Sequence, residues 1–317
     1  MISNLVFSLN ATMPLFLMMV VGYVLRQTRY LDEHSTNTVN RLVFRIFLPA
    51  LLFMDLAKED YSTFWDTSFV VFCAIATIAS IIISFVLALL VKDKADRGEF
   101  IQASYRSAAA TLGIAFMANI YKQESMVSLM IIGSVPIYNI VAVMLLAMTA
   151  PKDVAASDNK KLLKGALIGV ITNPIIISIL LGMLWSMCKL PMPTIFSKSM
   201  TYLGSVASPL ALIGLGASFE PQSASQKKGP IIAILFNKLF LFCILFLPVA
   251  IHMGFRNEKL VAALIMLGSA TTSSSFIMAK NMGHKGVISS SSVILTTLFS
   301  AFSMTLWLFI LRTLGYI

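Results

Sequence analysis

Two basic residues lie deep in apolar sequence and have the most chemistry to offer. Arg106 falls about eight residues into the stretch 99–120, and Lys238 about nine residues into 230–253. A charge in hydrocarbon costs about 3 kcal/mol or more, so such a group faces protein, a partner or a watery cavity. A guanidinium offers a planar fork that grips a carboxylate through two bonds, whereas an ammonium is a compact point charge. Neutral hydrogen-bonding groups accompany them. Ser107, Thr111 and Gly113 follow Arg106, Tyr138 and Asn139 follow Pro136, and Thr271, Thr272, Ser273, Ser274 and Ser275 follow Gly268. Together they form a kit for holding a small anion. Each group also has a plainer role. Arg106 can snorkel to the inner headgroups. Lys238 can pair with an anionic solute, stand in the place of a coupling cation, or bond the free carbonyls of a broken helix. Asn139 can line a site or tie two helices together. Ser and Thr can bond their own backbone in a close-packed span.

Nothing in the chain suggests covalent or metal chemistry. There is no H-E-x-x-H, G-x-S-x-G or Walker loop, and the reading is of a protein that is not an enzyme and uses no metal or cofactor. Cys73, Cys188 and Cys243 sit in apolar stretches and read as packing residues. No acid lies mid-span: Asp55 falls near the outer end of a short stretch, and Glu220 ends another. That weakens a sodium site, which leans on buried acids, and leaves proton coupling open. His34, His252 and His284 fall at loops or ends and are expected to face water.

The elements that must position these groups follow from composition. The 317 residues are 58% hydrophobic and 12% charged, with a mean hydropathy of +0.86. A soluble domain of this size carries about twice that charge fraction. Apolar stretches run over 7–26, 43–57, 67–91, 99–120, 125–149, 163–188, 198–218, 230–253, 259–280 and 287–311. Runs near 20 residues cross hydrocarbon as helices, whereas barrel strands alternate over about ten. The expectation is an all-α membrane protein of ten transmembrane helices, the first a retained helix rather than a signal peptide.

The chain reads as one unit written twice. Thr12, Pro14, Gly22 and Pro49 recur 160 residues later as Thr172, Pro174, Gly182 and Pro209. Thr111, Met117 and Ala118 recur at a spacing of 161 as Thr272, Met278 and Ala279. Five spans per half is an odd number, so the halves cross the membrane in opposite senses, as inverted repeats do. The expected division is a five-helix repeat over 1–150, a cytoplasmic linker over 151–162 and a second repeat over 163–317. Small and hydroxyl residues cluster mid-span in helices 4 and 9. These are the candidates for broken helices that cross near the midplane and aim their N-termini at an anion. With the N-terminus outside, sixteen of the 24 Lys and Arg residues fall on inner loops and flanks, seven on outer ones and Lys238 within a span. This bias fits the positive-inside rule with both termini outside. Trp65, Trp185 and Trp307 fall at outer helix ends, where an aromatic belt sits. The net charge of +10 follows from the same asymmetry and gives no reason to invoke nucleic acid.

The sequence resembles the auxin efflux carrier family, plant carriers and bacterial organic-acid permeases, over nearly its whole length. Ala207-Ser-Pro-Leu-Ala-Leu-Ile-Gly-Leu-Gly-Ala-Ser218 is similar to the family's seventh span, and Phe47-Leu-Pro-Ala-Leu-Leu-Phe53 is its partner. Arg106-Ser-Ala-Ala-Ala-Thr-Leu-Gly-Ile-Ala115 resembles the fourth-span motif R-S-N-x-G-x-x-G-I-P, and Val135-Pro-Ile-Tyr-Asn-Ile140 the fifth span. Ala279-Lys280, followed by Ser289–Ser292, Thr296, Thr297 and Ser300, is similar to the family's end. The family's Asn falls on Ala108, and its crossover prolines on Ala115 and Ala270. Helix breaking then rests on Gly113, Gly268 and the hydroxyl run. The resemblance implies a scaffold of helices 1, 2, 6 and 7, where a homodimer would form, and a transport domain of helices 3–5 and 8–10. It implies elevator-like movement, with Pro49 and Pro209 kinking the helices beside the moving domain. The function expected is a secondary active or facilitative carrier of small organic anions, mono- or dicarboxylates or auxin-like weak acids, in a bacterial inner membrane. A passive anion channel and a membrane sensor are the alternatives.

Overall fold

The computed structural model describes residues 2–58, 65–109, 117, 121, 125–149 and 172–317. The linker 151–162, Thr111 and Gly113 lie outside them. All regular structure among the described residues is helical. Among the described residues six segments are long and apolar enough to cross a membrane: Thr67–Ala88, Leu129–Thr149, Thr194–Ala217, Lys228–His252, Asn257–Asn281 and Val287–Thr313. Met13–Gln27 and Pro174–Met187 are shorter apolar helices.

The elements in chain order begin with α1 (Ile2–Gln27), α2 (Glu33–Leu42), α3 (Leu48–Ala57) and α4 (Thr67–Ala88). Next come α5 (Arg97–Tyr105), α6 (Ser125–Thr149), α7 (Pro174–Met187) and α8 (Thr194–Ala217). A short α9 (Pro221–Gln226) leads to α10 (Lys228–Phe236), α11 (Phe242–His252), α12 (Asn257–Gly268), α13 (Ser273–Asn281) and α14 (Val287–Thr313). Side-chain caps start several of them. Asp32 accepts from Ser35 N, Asp66 from Phe69 N and Asn173 from Ile175 N, which satisfies amides that have no partner inside the helix. Between α2 and α3 the chain widens into a π turn, Val43–Phe47, in which Leu48 N–H donates to Val43 O. Pro49 explains it locally: proline has no N–H for the carbonyl four residues back, so the ladder must shift there. Pro209, its counterpart by spacing, lies inside the continuous α8. A second π turn, Asn237–Leu241, joins α10 to α11, and Phe242 N–H donates to Asn237 O.

Apolar residues face outward as well as inward. On α4, Val71, Ile75, Ile78, Ile82 and Phe85 form an exposed stripe, while Cys73, Ala76, Ser80 and Ser84 are buried. A helix whose larger aliphatic side chains point away from the protein suits lipid rather than water. Helices α1 and α8 pack closely, as do α3 and α7. A Cβ at Gly22 would lie 2.1 Å from Ile213 O, and one at Gly182 would lie 2.9 Å from Phe53 O. Only a residue without a side chain lets the backbones approach so far.

Polar ties join early and late parts of the chain. Lys227 pairs with Asp93, at 3.3 Å, and with Asp96, while Lys259 pairs with Asp66. The Lys259 ammonium and the cap to Phe69 hold the Asp66 carboxyl below its ordinary range. Glu99 is buried, and its carboxylate accepts from Gly286 N (2.8 Å) and Ser289 N (2.9 Å), capping α14. His284 departs from expectation: it is buried, with Nε2 2.9 Å from Leu146 O, because the loop that carries it folds back on α6. Cys188 also departs, being exposed at the end of α7 rather than packed inside. Cys73 and Cys243 are buried as expected.

Candidate functional site

The two stretches read as helix-breaking are both interrupted. Helix α5 stops at Tyr105, and Arg106 adopts an extended conformation with φ −72° and ψ 133°. Among the described residues the break falls at Arg106–Ala108, and Gly113 lies outside them. Helix α12 stops at Gly268, and α13 restarts at Ser273 after extended Ser269 and Thr272. Long-range bonds satisfy the freed backbone. Ala108 N donates to Ala270 O at 2.8 Å, directly joining the two interruptions. Thr271 N donates to Thr296 Oγ1 (3.0 Å), Thr271 Oγ1 to Ala103 O (2.8 Å), and Gln102 Nε2 to Ser275 O (2.9 Å). Backbone groups freed at the breaks thus meet partners from the other break and from α14.

Arg106 sits where the breaks meet, 1% exposed. Its Nη2 donates to Asn139 Oδ1 (2.8 Å) and Ser274 Oγ (2.7 Å). Its Nη1 donates to Gln102 Oε1 (3.2 Å) and lies 2.9 Å from Met278 Sδ. Every one of these partners is neutral, and Nε has no partner among the described residues. Among the described residues the guanidinium is thus oriented by neutral hydrogen-bond partners and forms no ion pair. Ser107 Oγ and Tyr138 OH lie 3.1 Å apart, and Thr272 Oγ1 and Ser274 Oγ 3.2 Å apart.

A cavity of about 470 Å³ opens beside it, within the range of small-molecule sites. Arg106, Ser107, Ala108, Tyr138, Asn139, Thr271, Thr272, Ser273 and Ser274 all line it. The opposite wall comes from α1, α3 and α8 and is mostly apolar, with Leu15, Leu51 and Leu212. Two of the expected residues stand elsewhere. Ser275 is buried and bonds Thr272 O at 2.7 Å. Lys238 lies behind the site, in the π turn between α10 and α11, with Nζ directed at backbone carbonyls. Tyr138 lines both the main cavity and the small void beside Lys238.

Sequence reasoning missed several residues of the cavity. Asp55 lines it, although by position it reads as a span-end residue. Ser205, Ser208 and Thr297 contribute hydroxyls from α8 and α14. Gln102 does not line it but orients Arg106 from one turn earlier on α5, and that i, i+4 spacing is the signal that could have found it.

An interrupted, lipid-suited helical protein with a buried cation facing a cavity has the form of a membrane transporter. A family model described as "membrane transport protein" matches residues 7–308, and the chain belongs to that family, the auxin efflux carrier family. It is similar to an uncharacterized transporter of Methanothermobacter thermautotrophicus, 20% identical over 306 residues, which span 95% of this chain and 97% of that one. The family comprises membrane transporters rather than enzymes. The chain is thus a multi-pass membrane transporter.

Proposed function

We propose that the chain is a secondary active or facilitative carrier of small organic anions, mono- or dicarboxylates or auxin-like weak acids, with the carboxylate seated on Arg106. One observation carries this reading: a sealed guanidinium, bonded among the described residues to neutral groups and with no partner there for Nε, faces a cavity of ligand size. An uncompensated buried charge is costly unless a counter-ion visits it. Ser274 and Asn139 orient the fork, and the apolar wall takes the body of the solute. The N-terminus of α13 adds a partial positive charge from the same side.

The finer architecture belongs to the same reading: ten spans in two inverted repeats, with helices 4 and 9 broken at the crossing. In support, the contact of Gly22 with Ile213 has a twin in Gly182 with Phe53. Moving one member up and the other down by 160 positions turns the first contact into the second, as a two-fold relation between halves requires. The cavity lies between α1, α3 and α8 on one side and the interrupted segments on the other. That favours elevator movement of helices 3–5 and 8–10 against a dimeric scaffold of helices 1, 2, 6 and 7, with Pro49 and Pro209 at its edge. We assign the chain to a bacterial inner membrane with both termini outside, and leave proton coupling open.

Purified protein in liposomes is expected to take up a labelled carboxylate saturably. Thr272→Leu and Ser274→Leu should abolish uptake while the protein still folds. Flux without saturation would favour a passive anion channel, and binding without flux a sensor. Unchanged uptake in both variants would remove the site.

A further inference from the structure

Lys238 stands outside the anion cavity and calls for its own account. Its side chain is fully buried, and among the described residues it forms no ion pair. Nζ instead meets three backbone carbonyls: Tyr105 O at 3.4 Å, Met266 O at 3.3 Å and Leu267 O at 3.2 Å. These are the C-terminal ends of α5 and α12, the two helices that stop at the crossing. Each such end carries about half a negative charge from unpaired carbonyls. Tyr105 and Met266 are also 161 positions apart, the spacing of the later repeat matches. The ammonium therefore touches equivalent points of both halves. The position 161 residues before Lys238 is Thr77, which lines the same small void of about 10 Å³. One half supplies a cation and the other a hydroxyl.

We propose that Lys238 is a tethered cation, holding by covalent attachment a site that the carbonyl ends of the two interrupted helices would otherwise offer to a small monovalent ion. An all-carbonyl oxygen set has the chemistry that replaces the hydration shell of such an ion. The π turn at Asn237–Leu241 delivers the side chain there, and its own Leu239 carbonyl is taken up by Trp307 Nε1 at 2.9 Å. With the charge fixed to the chain, the crossing is held together without a dissociable cation. This inference rests on the two helix ends and not on the anion-site reading.

The test is the thermal stability of purified full-length protein in ammonium, potassium, sodium or choline chloride at equal ionic strength. Lys238→Ala removes the ammonium and opens space, whereas Lys238→Met removes the charge but keeps the stem. In choline, both variants should melt several degrees below wild type. Ammonium or potassium should raise the Lys238→Ala transition saturably and leave Lys238→Met and wild type unmoved. The proposal is overturned if no cation restores Lys238→Ala or that variant folds in none of these salts. It is equally overturned if Lys238→Met is as stable as wild type or responds to the same ions, or if wild type itself is stabilised by potassium or sodium over choline. Because no outcome involves uptake, these results do not depend on whether Arg106 binds an anion.

Discussion

Arg106 and Lys238 are cations sealed from solvent at the same crossing, yet their partners differ in kind. Arg106 reaches the side chains of Gln102, Asn139, Ser274 and Met278 and borders a cavity. Among the described residues Lys238 reaches main-chain carbonyls alone, and it borders a void about the size of one water. Side-chain partners can turn toward an incoming ligand and back. Carbonyls at helix ends are fixed by the fold. Burial alone therefore does not tell a binding charge from a structural one. The mobility of the partners and the space beside the charge do.

Substitutions can break or sharpen this contrast. The largest expected effect is Arg106→Gln, which should lower carboxylate affinity by about 100-fold, the worth of two charge-assisted bonds at roughly 1.5 kcal/mol each. Melting temperature should hold or rise, because an uncompensated buried charge is gone. Lys238→Met should do the reverse: about 3 kcal/mol of stability is lost as carbonyls go unpaired, seen as a drop of roughly 5 °C or more, with little change in affinity. Crossed results, Arg106→Gln unfolding and Lys238→Met failing to bind, would exchange the two assignments. Ser274→Ala is smaller, about tenfold in affinity measured by ligand titration, because one orienting bond of Arg106 is lost.

The smallest effect lies at the membrane edge. Asp66→Asn should cost under about 1 kcal/mol in melting experiments and less in high salt, since the pair with Lys259 is partly exposed. Asp66 has its folded-state pKa depressed by Lys259. Its contribution is therefore present above the unfolded value of about 3.9 and is lost as pH falls through the lower folded value. A stability profile of Asp66→Asn should accordingly approach that of wild type only in strong acid.

Much of this was legible in the sequence, and the exceptions have a common cause. Depth in an apolar stretch marked Arg106 and Lys238, and the hydroxyl run at Thr271–Ser275 marked the second break. The exact place of the first break was not legible. Tyr105 ends α5 because Ala108 N finds Ala270 O and Gln102 finds Ser275 O, partners that lie more than 150 residues away. His284 read as a loop residue facing water because nothing local shows that Leu146 O covers it. Nothing local to Glu99 shows that its carboxylate caps α14, which begins after Gly286 without a side-chain cap of its own. The π turn at Asn237–Leu241 has no proline just after its end to announce it, unlike the turn Val43–Phe47, which Pro49 follows by two residues. Local chemistry names the residues, and distant partners decide where the helices stop.

The bond from Arg106 to Ser274 spans 168 positions and that from Glu99 to Ser289 spans 190. A ribosome adding about 5–20 residues per second needs roughly 10–40 s to make the later partner. In that interval Gln102 and Asn139 already stand ready for the guanidinium, while the Gly286 and Ser289 amides that Glu99 caps have not been made. Lys238 emerges in the opposite situation, with the Tyr105 carbonyl made long before and those of Met266 and Leu267 only 28 and 29 positions behind. Membrane insertion of the early part of the chain must therefore tolerate an unfinished acid, and biogenesis completes its electrostatics only when the last helix arrives.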